Sequence, residues 1–362
     1  MPAVRRAALT VLGVLLFTLG SAGPALAHGR SSDATNYHSR IQEAPDLPGV
    51  TWRVYGGDEF LGVTNTSDVE ITVFGYGEPG QDPYLRIGPE GIFENRNSPA
   101  TYQNRDRFAD TPVPDFAIPG ATPDWVRIGD GPTYLWDDHR IHYMGRNLAP
   151  AVTNQAQEAL VLEWTVPFSV AGGEMLQVAG DLRWIPGGSP LPWLLAALVL
   201  TLPALVGLRT QPTNEDRWPG LVRPAAAVLG VLAVLNLTNL VDDLFAVPTP
   251  IGTRLLAAAQ TALFIAIAGF GAAKAWQARE GAFTALGVGA GALIIGQGIL
   301  YFDLLRTSQT VSLFPGGITR TVVALSIAQA LPLGIVAVIG TRRLLPPLEP
   351  EPSAGDALAG GT

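Results

Sequence analysis

The chain has 362 residues, 31 acidic and 23 basic, a formal net charge of −8 and no cysteine. An acidic balance argues against a nucleic-acid partner, whose phosphates need clustered Lys and Arg, and without cysteine there is no disulfide framework. Hydrophobic residues make up 48% and charged residues 15%, against about 25% charged in ordinary soluble domains, so part of the chain must find an apolar solvent.

In chain order the first element is a secretory signal over 1–27. Arg5 and Arg6 form its charged start, Ala8 to Leu19 its apolar stretch, and Ala25-Leu26-Ala27 its small-residue cleavage site. Cleavage there leaves His28 as the first residue of the mature protein.

Residues 28–189 hold 22 acidic against 11 basic residues, a net of −11, and are expected to form an extracytoplasmic β-sandwich domain. Residues 28–48 read as irregular and polar. Short apolar or alternating runs then follow, broken by Gly, Pro, Asn and Asp. They predict strands over Thr51–Tyr55, Phe60–Asn65, Glu70–Tyr76, Leu85–Ile87, Ile92–Glu94, Trp125–Ile128, Thr133–Trp136, Leu160–Pro167 and Met175–Trp184. Many short strands with frequent turns imply an Ig-like sandwich, built either as one elaborated unit or as two small sheets meeting near Pro112 to Pro123. Tyr84, Phe93, Tyr102 and Phe108 are candidate exposed aromatics, and His38 reads as a surface residue. Arg105 and Arg107 read as solvated ion-pair partners of nearby Asp residues.

Residues 190–345 predict five transmembrane helices, over Leu191–Leu208, Leu221–Val241, Leu255–Ala273, Ala282–Phe302 and Thr321–Gly340, because a bilayer core needs about 20 apolar residues per helix. With 28–189 outside, seven basic residues fall in the cytoplasmic loops and three (Arg254, Arg306, Arg320) outside, in keeping with the positive-inside rule. The protein is therefore expected in the cell membrane as a multi-pass protein in contact with the lipid bilayer. Its C-terminus is expected in the cytoplasm, with a disordered tail over 346–362. Asn236, Asn239, Gln260, Gln297 and Gln329 lie within spans. Interhelical hydrogen bonding explains them most simply; a polar path or ligand site is the sharper reading. Asp242, Asp243 and Asp303 fall at the outer ends of spans, either as wetted interfacial residues or as a cation-collecting mouth.

Trp136-Asp137-Asp138-His139-Arg140-Ile141-His142 holds two of the chain's four histidines. On a strand, Asp137 and His139 would share a face; on a helical turn, His139 and His142 would. Adding the α-amine and imidazole of a terminal His28 gives N and O ligands suited to Cu(II), with zinc the competitor. The candidate metal ligands are thus His28, Asp137, His139 and His142. The alternative is a polar hydrogen-bond cluster with no metal, an acidic residue fixing the histidine tautomers. No hydrolase elbow, zincin helix, Walker loop or dinucleotide fingerprint is present, so no enzyme activity is expected.

On His28 and Asp137-Asp138-His139 the exported half resembles the CopC-type periplasmic copper-binding domain. That resemblance implies a β-sandwich that takes Cu(II) with its mature N-terminal His and a downstream Asp-x-His. The hydrophilic Gly29-Arg30-Ser31-Ser32 departs from the family, which enters a strand at once, and five spans are fewer than its CopD-type partner would supply. The whole chain also resembles exported membrane proteins of actinobacteria, judged from Tyr134 to His142. The expectation is a membrane-anchored copper-handling protein; the alternative is a metal-free envelope interaction, sensor or structural protein with an envelope protein partner.

Overall fold

The computed structural model describes residues 35–78, 80–105, 107–210, 218–247, 249 and 251–344. The signal segment 1–27, His28 and the tail 346–362 lie outside the described residues. An antiparallel β region is followed by a helical region.

The β region has ten strands among the described residues: β1 Tyr37–Glu43, β2 Val50–Tyr55, β3 Phe60–Asn65, β4 Ile71–Phe74, β5 Pro83–Gly88, β6 Gly91–Asn95, β7 Trp125–Gly129, β8 Thr133–Trp136, β9 Ala159–Val170 and β10 Met175–Trp184. They form a seven-stranded sheet, ordered β1-β10-β9-β4-β5-β6-β7, and a three-stranded sheet, β2-β3-β8. The two sheets share one core. Trp52, Leu61, Val63 and Trp136 come from the smaller sheet, and Val73, Leu85, Val166 and Phe168 from the larger. Trp52 and Phe168 meet across it with ring centroids 5.0 Å apart; burying a side chain such as Phe168 contributes about 1.5–3 kcal/mol. Tyr84 is fully buried in the same core, so it is a packing residue and not an exposed contact.

β1 corrects the reading of 28–48 as irregular. Tyr37, Ser39 and Ile41 alternate with His38, Arg40 and Gln42, and the strand adds to the sheet edge with Tyr37 opposite Trp184. A single turn of helix, α1 Ala100–Gln103, follows β6.

The helical region contains α2 Leu191–Thr201 with a 3-10 extension Leu202–Arg209, α3 Trp218–Leu235, α4 Leu237–Phe245, α5 Ile251–Trp276, α6 Ala282–Leu293 with a π-helical turn Ile294–Ile299, α7 Gly316–Ala328 and α8 Ala330–Leu344. Together they make five helical stretches long and apolar enough to cross a membrane: Leu191–Arg209, Trp218–Phe245, Ile251–Trp276, Ala282–Ile299 and Gly316–Arg342. By length and composition this is a multi-pass membrane protein. Small residues bring the helices close: a Cβ on Gly271 of α5 would lie 2.6 Å from the Ala285 carbonyl oxygen of α6.

In three stretches the helical hydrogen-bonding pattern changes at a polar residue: Asn236 stands at the α3–α4 junction, Gln297 lies in the π-helical turn, and Gln329 stands at the α7–α8 junction, with the backbone still right-handed at Asn236 and Gln329. Asp242 and Asp243 are buried, at 3% and 2% exposure, not wetted. Asp242 accepts hydrogen bonds from Ser312 Oγ at 2.7 Å and Leu313 N at 2.9 Å.

The β region rests on the loop that follows the π turn. Ser308 N donates to Asn36 Oδ1 at 2.8 Å, Gln309 Nε2 donates to the Tyr37 carbonyl at 2.6 Å, and Ser308 Oγ and His38 Nε2 lie 3.0 Å apart. His38 is therefore an interface residue, which its isolated position in sequence did not reveal.

Candidate functional site

The Trp136–His142 motif leaves the end of β8 as a turn, neither strand nor helix, closed by the Ile141 N–H to Asp138 carbonyl bond at 3.0 Å. Neither face pattern considered for it applies, because Asp138 dictates the local shape. Its carboxylate is fully buried and accepts from the Trp136 indole N–H at 2.8 Å, from Arg140 Nε at 2.8 Å and from Arg140 Nη2 at 2.7 Å. Burial alone would raise the Asp138 pKa; the charge and hydrogen bonds of Arg140, with Trp136 and the Arg140 N–H, hold it below the usual carboxylate value.

Arg140 also donates to the Phe74 and Gly75 carbonyls at 3.2 Å and lies over the Tyr76 ring. Tyr76 donates to Asn104 Oδ1 and accepts from the His139 N–H at 2.9 Å, and its ring stacks on His139 at 5.9 Å. His139 and His142 meet with ring centroids 5.4 Å apart.

His142 is almost fully buried, and its Nε2 lies 3.1 Å from the Arg107 carbonyl oxygen. A carbonyl accepts only, so this contact assigns the proton to Nε2 and leaves the lone pair on Nδ1. Nδ1 is buried with no hydrogen-bond partner among the described residues. Burial, with the Arg107 charge behind it, pushes the His142 pKa down to about 4. The ring is neutral at pH 7. A neutral imidazole oriented by its second N–H to a carbonyl is the form that ligates metals.

Arg107 is not a solvated ion-pair partner as its neighbourhood in sequence implied. It reaches Asp58 at 2.6 Å, and that carboxylate is only 2% exposed. Burial lowers the Arg107 pKa, and this is outweighed by Asp58, then Glu59 and Asp137, which raise it. Asp137 thus acts electrostatically on the residue that holds His142. Among the described residues, however, no group of three His, Cys, Asp or Glu side chains comes within reach of one ion. The structure brings His139 and His142 together, leaves Asp137 outside a completed set, and leaves His28 outside the described residues. Asp58, Tyr76, Asn104 and Arg107 were invisible in the motif because they arrive from three other loops.

The site lies at the end of the β region that faces the helices. Tyr143 stacks near Tyr37 at 6.3 Å, and a Cβ on Gly57 of the β2–β3 turn would lie 2.6 Å from Gln309 Nε2 and 2.9 Å from Thr35 Cγ2. In comparisons with known proteins, no family model, no curated protein and no solved structure matches this chain.

Two histidines make this region acid-sensitive. Burial, then Arg40, lowers the His38 pKa to about 4, as burial does for His142. An unfolded chain binds protons at about 6.5 that the fold refuses until about 4, so folding stability is full above pH 6.5 and declines as pH falls toward 4. Thermal unfolding of the full chain across that window should show the decline, and the double variant His38→Phe, His142→Phe should flatten it. A wild-type midpoint constant from pH 7 to 4.5 would contradict the assignment.

Proposed function

We propose that this is a membrane-anchored, extracytoplasmic metal-handling protein that takes Cu(II), with Zn(II) as competitor, at its mature N-terminus and the histidine pair. The ligands in this reading are the His28 amine and imidazole, His142 Nδ1 and His139, with Asp137 nearby. The β region is a CopC-like exported sandwich, and the C-terminus is cytoplasmic. The observation that carries the reading is the buried, unpartnered Nδ1 of a neutral His142 beside His139. Chain length supports it. His28 stands seven residues before Thr35, a span of at most about 25 Å. Thr35 lies against the β2–β3 turn whose Asp58 pairs with Arg107.

The test is titration of the processed full-length protein with Cu(II). Affinity should fall at least tenfold in His142→Ala and in His28→Ala, and should weaken as pH drops and the nitrogen ligands are protonated. Equal affinity in all three proteins would end this reading.

One observation favours the second reading, a metal-free interaction, sensor or structural module. Asp138, Arg140 and Trp136 satisfy one another, so half of the motif has a role that needs no ion. No affinity for Cu(II) or Zn(II), together with capture of a defined envelope protein, would favour it.

A further inference from the structure

A cavity of about 480 Å³ opens between the β region and the helices, within the roughly 300–1,000 Å³ usual for small-molecule sites. Asn36 and Tyr37 reach it from the start of β1, Trp184 from the end of β10 and Gln155 from the loop before β9. Asp303 and Arg306 reach it from the helical side, on the 3-10 turn Phe302–Leu305 and its cap. The side chains of Asp303 and Arg306 are 50% and 61% exposed, so an incoming molecule can touch both.

Three observations define what would fill it. The first is level. Asp303 and Arg306 lie in the connection between the fourth apolar stretch, which ends at Ile299, and the fifth, which begins at Gly316. A span leaves the hydrocarbon there and meets the layer of lipid headgroups. Ile299, one turn before Asp303, is 61% exposed, as a side chain bordering acyl chains would be. The second is charge. Asp303 Oδ1 and Arg306 Nε are 2.7 Å apart, and no other lining residue is charged. A lone anion at Arg306 would be repelled by Asp303, and a lone cation at Asp303 by Arg306. A molecule that carries both charges meets both partners, and a guanidinium with five N–H donors beside a two-oxygen carboxylate still has groups to offer. The third is an aromatic wall. Trp184 Nε1 donates to the Gln155 carbonyl at 3.1 Å, and Tyr37 Oη accepts from the Ala149 N–H at 3.0 Å. Their polar ends have partners, and the two rings, edge to face at 5.2 Å, supply aromatic surface of the kind that attracts an ammonium group.

We propose that this cavity holds the headgroup of a zwitterionic phospholipid, drawn from the leaflet beside the β region. The ammonium group meets Asp303 and the aromatic wall, the phosphate meets Arg306, and the acyl chains run down past Ile299. Asn36, whose Oδ1 is taken by the Ser308 N–H, has its amide N–H groups to turn to the phosphate. The headgroup would sit beside the contacts of Ser308 and Gln309 with β1, where the β region is seated on the helices. This site is independent of the histidine pair and of any metal.

The test is native mass spectrometry of the full-length protein, released from detergent after exposure to equal concentrations of dioctanoylphosphatidylethanolamine and dioctanoylphosphatidylglycerol. One ethanolamine lipid per chain should be retained saturably, at least tenfold more strongly than the glycerol lipid, which has the phosphate without the ammonium. Asp303→Asn should remove that preference, because Arg306 is then left to take either phosphate. Arg306→Gln should weaken retention of the ethanolamine lipid at least tenfold. Both side chains are at least half exposed, so both variants should keep the wild-type unfolding midpoint. The wild-type comparison decides the matter even if a variant fails to fold. Equal retention of the two lipids by the wild-type protein, an ethanolamine preference unchanged in both folded variants, or free phosphoethanolamine binding as tightly as the lipid would each overturn the proposal.

Discussion

Asp138→Ala should lower the unfolding free energy of the β region by about 3–5 kcal/mol, the usual cost of stranding one partner of a buried ion pair. The Arg140 guanidinium would lose the buried carboxylate it hydrogen-bonds while staying tied to the Phe74 and Gly75 carbonyls, and the Trp136 N–H would lose its acceptor. The pair is coupled, so Asp138→Leu with Arg140→Met should cost less than the two single changes added together. The pH dependence has a defined sign. Asp138 titrates lower in the folded chain than in the unfolded one. Its contribution is present above the unfolded value of about 3.9 and disappears as pH falls through the folded value. The wild-type protein should therefore show a further loss below about pH 4 that Asp138→Ala lacks, while the histidine decline above it is kept. Denaturant unfolding of the full chain, followed by tryptophan fluorescence, measures both effects; a loss under about 1 kcal/mol would show that water replaces the Asp138 carboxylate as the partner of Arg140.

Gly180→Ala should be comparably damaging, by about 3 kcal/mol, toward the upper end of what overpacking costs. Gly180 lies in β10, opposite Ile41 on one side and Trp164 on the other. A Cβ there would fall inside contact distance of the Arg40 carbonyl oxygen and of the Trp164 ring at once. Neither neighbour yields easily: one is backbone in the sheet ladder, the other a buried indole. The strand displaced is β1, whose first residues hold the β region against Ser308 and Gln309. Loss of folding stability should therefore come with loss of docking, read as new protease cleavage near Pro186 in the variant alone. Wild-type stability with an unchanged cleavage pattern would show that the sheet opens at low cost.

The membrane half was largely legible in the sequence. The hydrocarbon core demands about 20 apolar residues, and a run such as Leu191 to Leu208 has no other solvent to enter; the structure ends that helix at Arg209. The junction at Gln329 carries a sequence signal in Pro332, which has no N–H to continue the ladder to Ala328, whereas Asn236 has no Pro or Gly beside it and its junction was not legible. Most strands were legible from alternation. β1 was missed because an edge strand with one polar face looks like a loop, and its partner β10 lies far along the chain. The histidine motif stood out by composition, yet its geometry is set by Asp138, Tyr76 and Arg107, contacts that no spacing encodes.

The pairing of Tyr37 with Trp184 means that the chain enters and leaves the β region at one point beside the helices. From that point β9 and β10 run away as a single hairpin, β9 over 12 residues, or about 40 Å at strand rise. The turn at Ala171 to Glu174 thus lies at the opposite end of the strands from Tyr37 and Trp184, where the Ala171 N–H bonds the Glu70 carbonyl. A molecule touching that turn and one touching the histidine pair would therefore meet opposite ends of the β region.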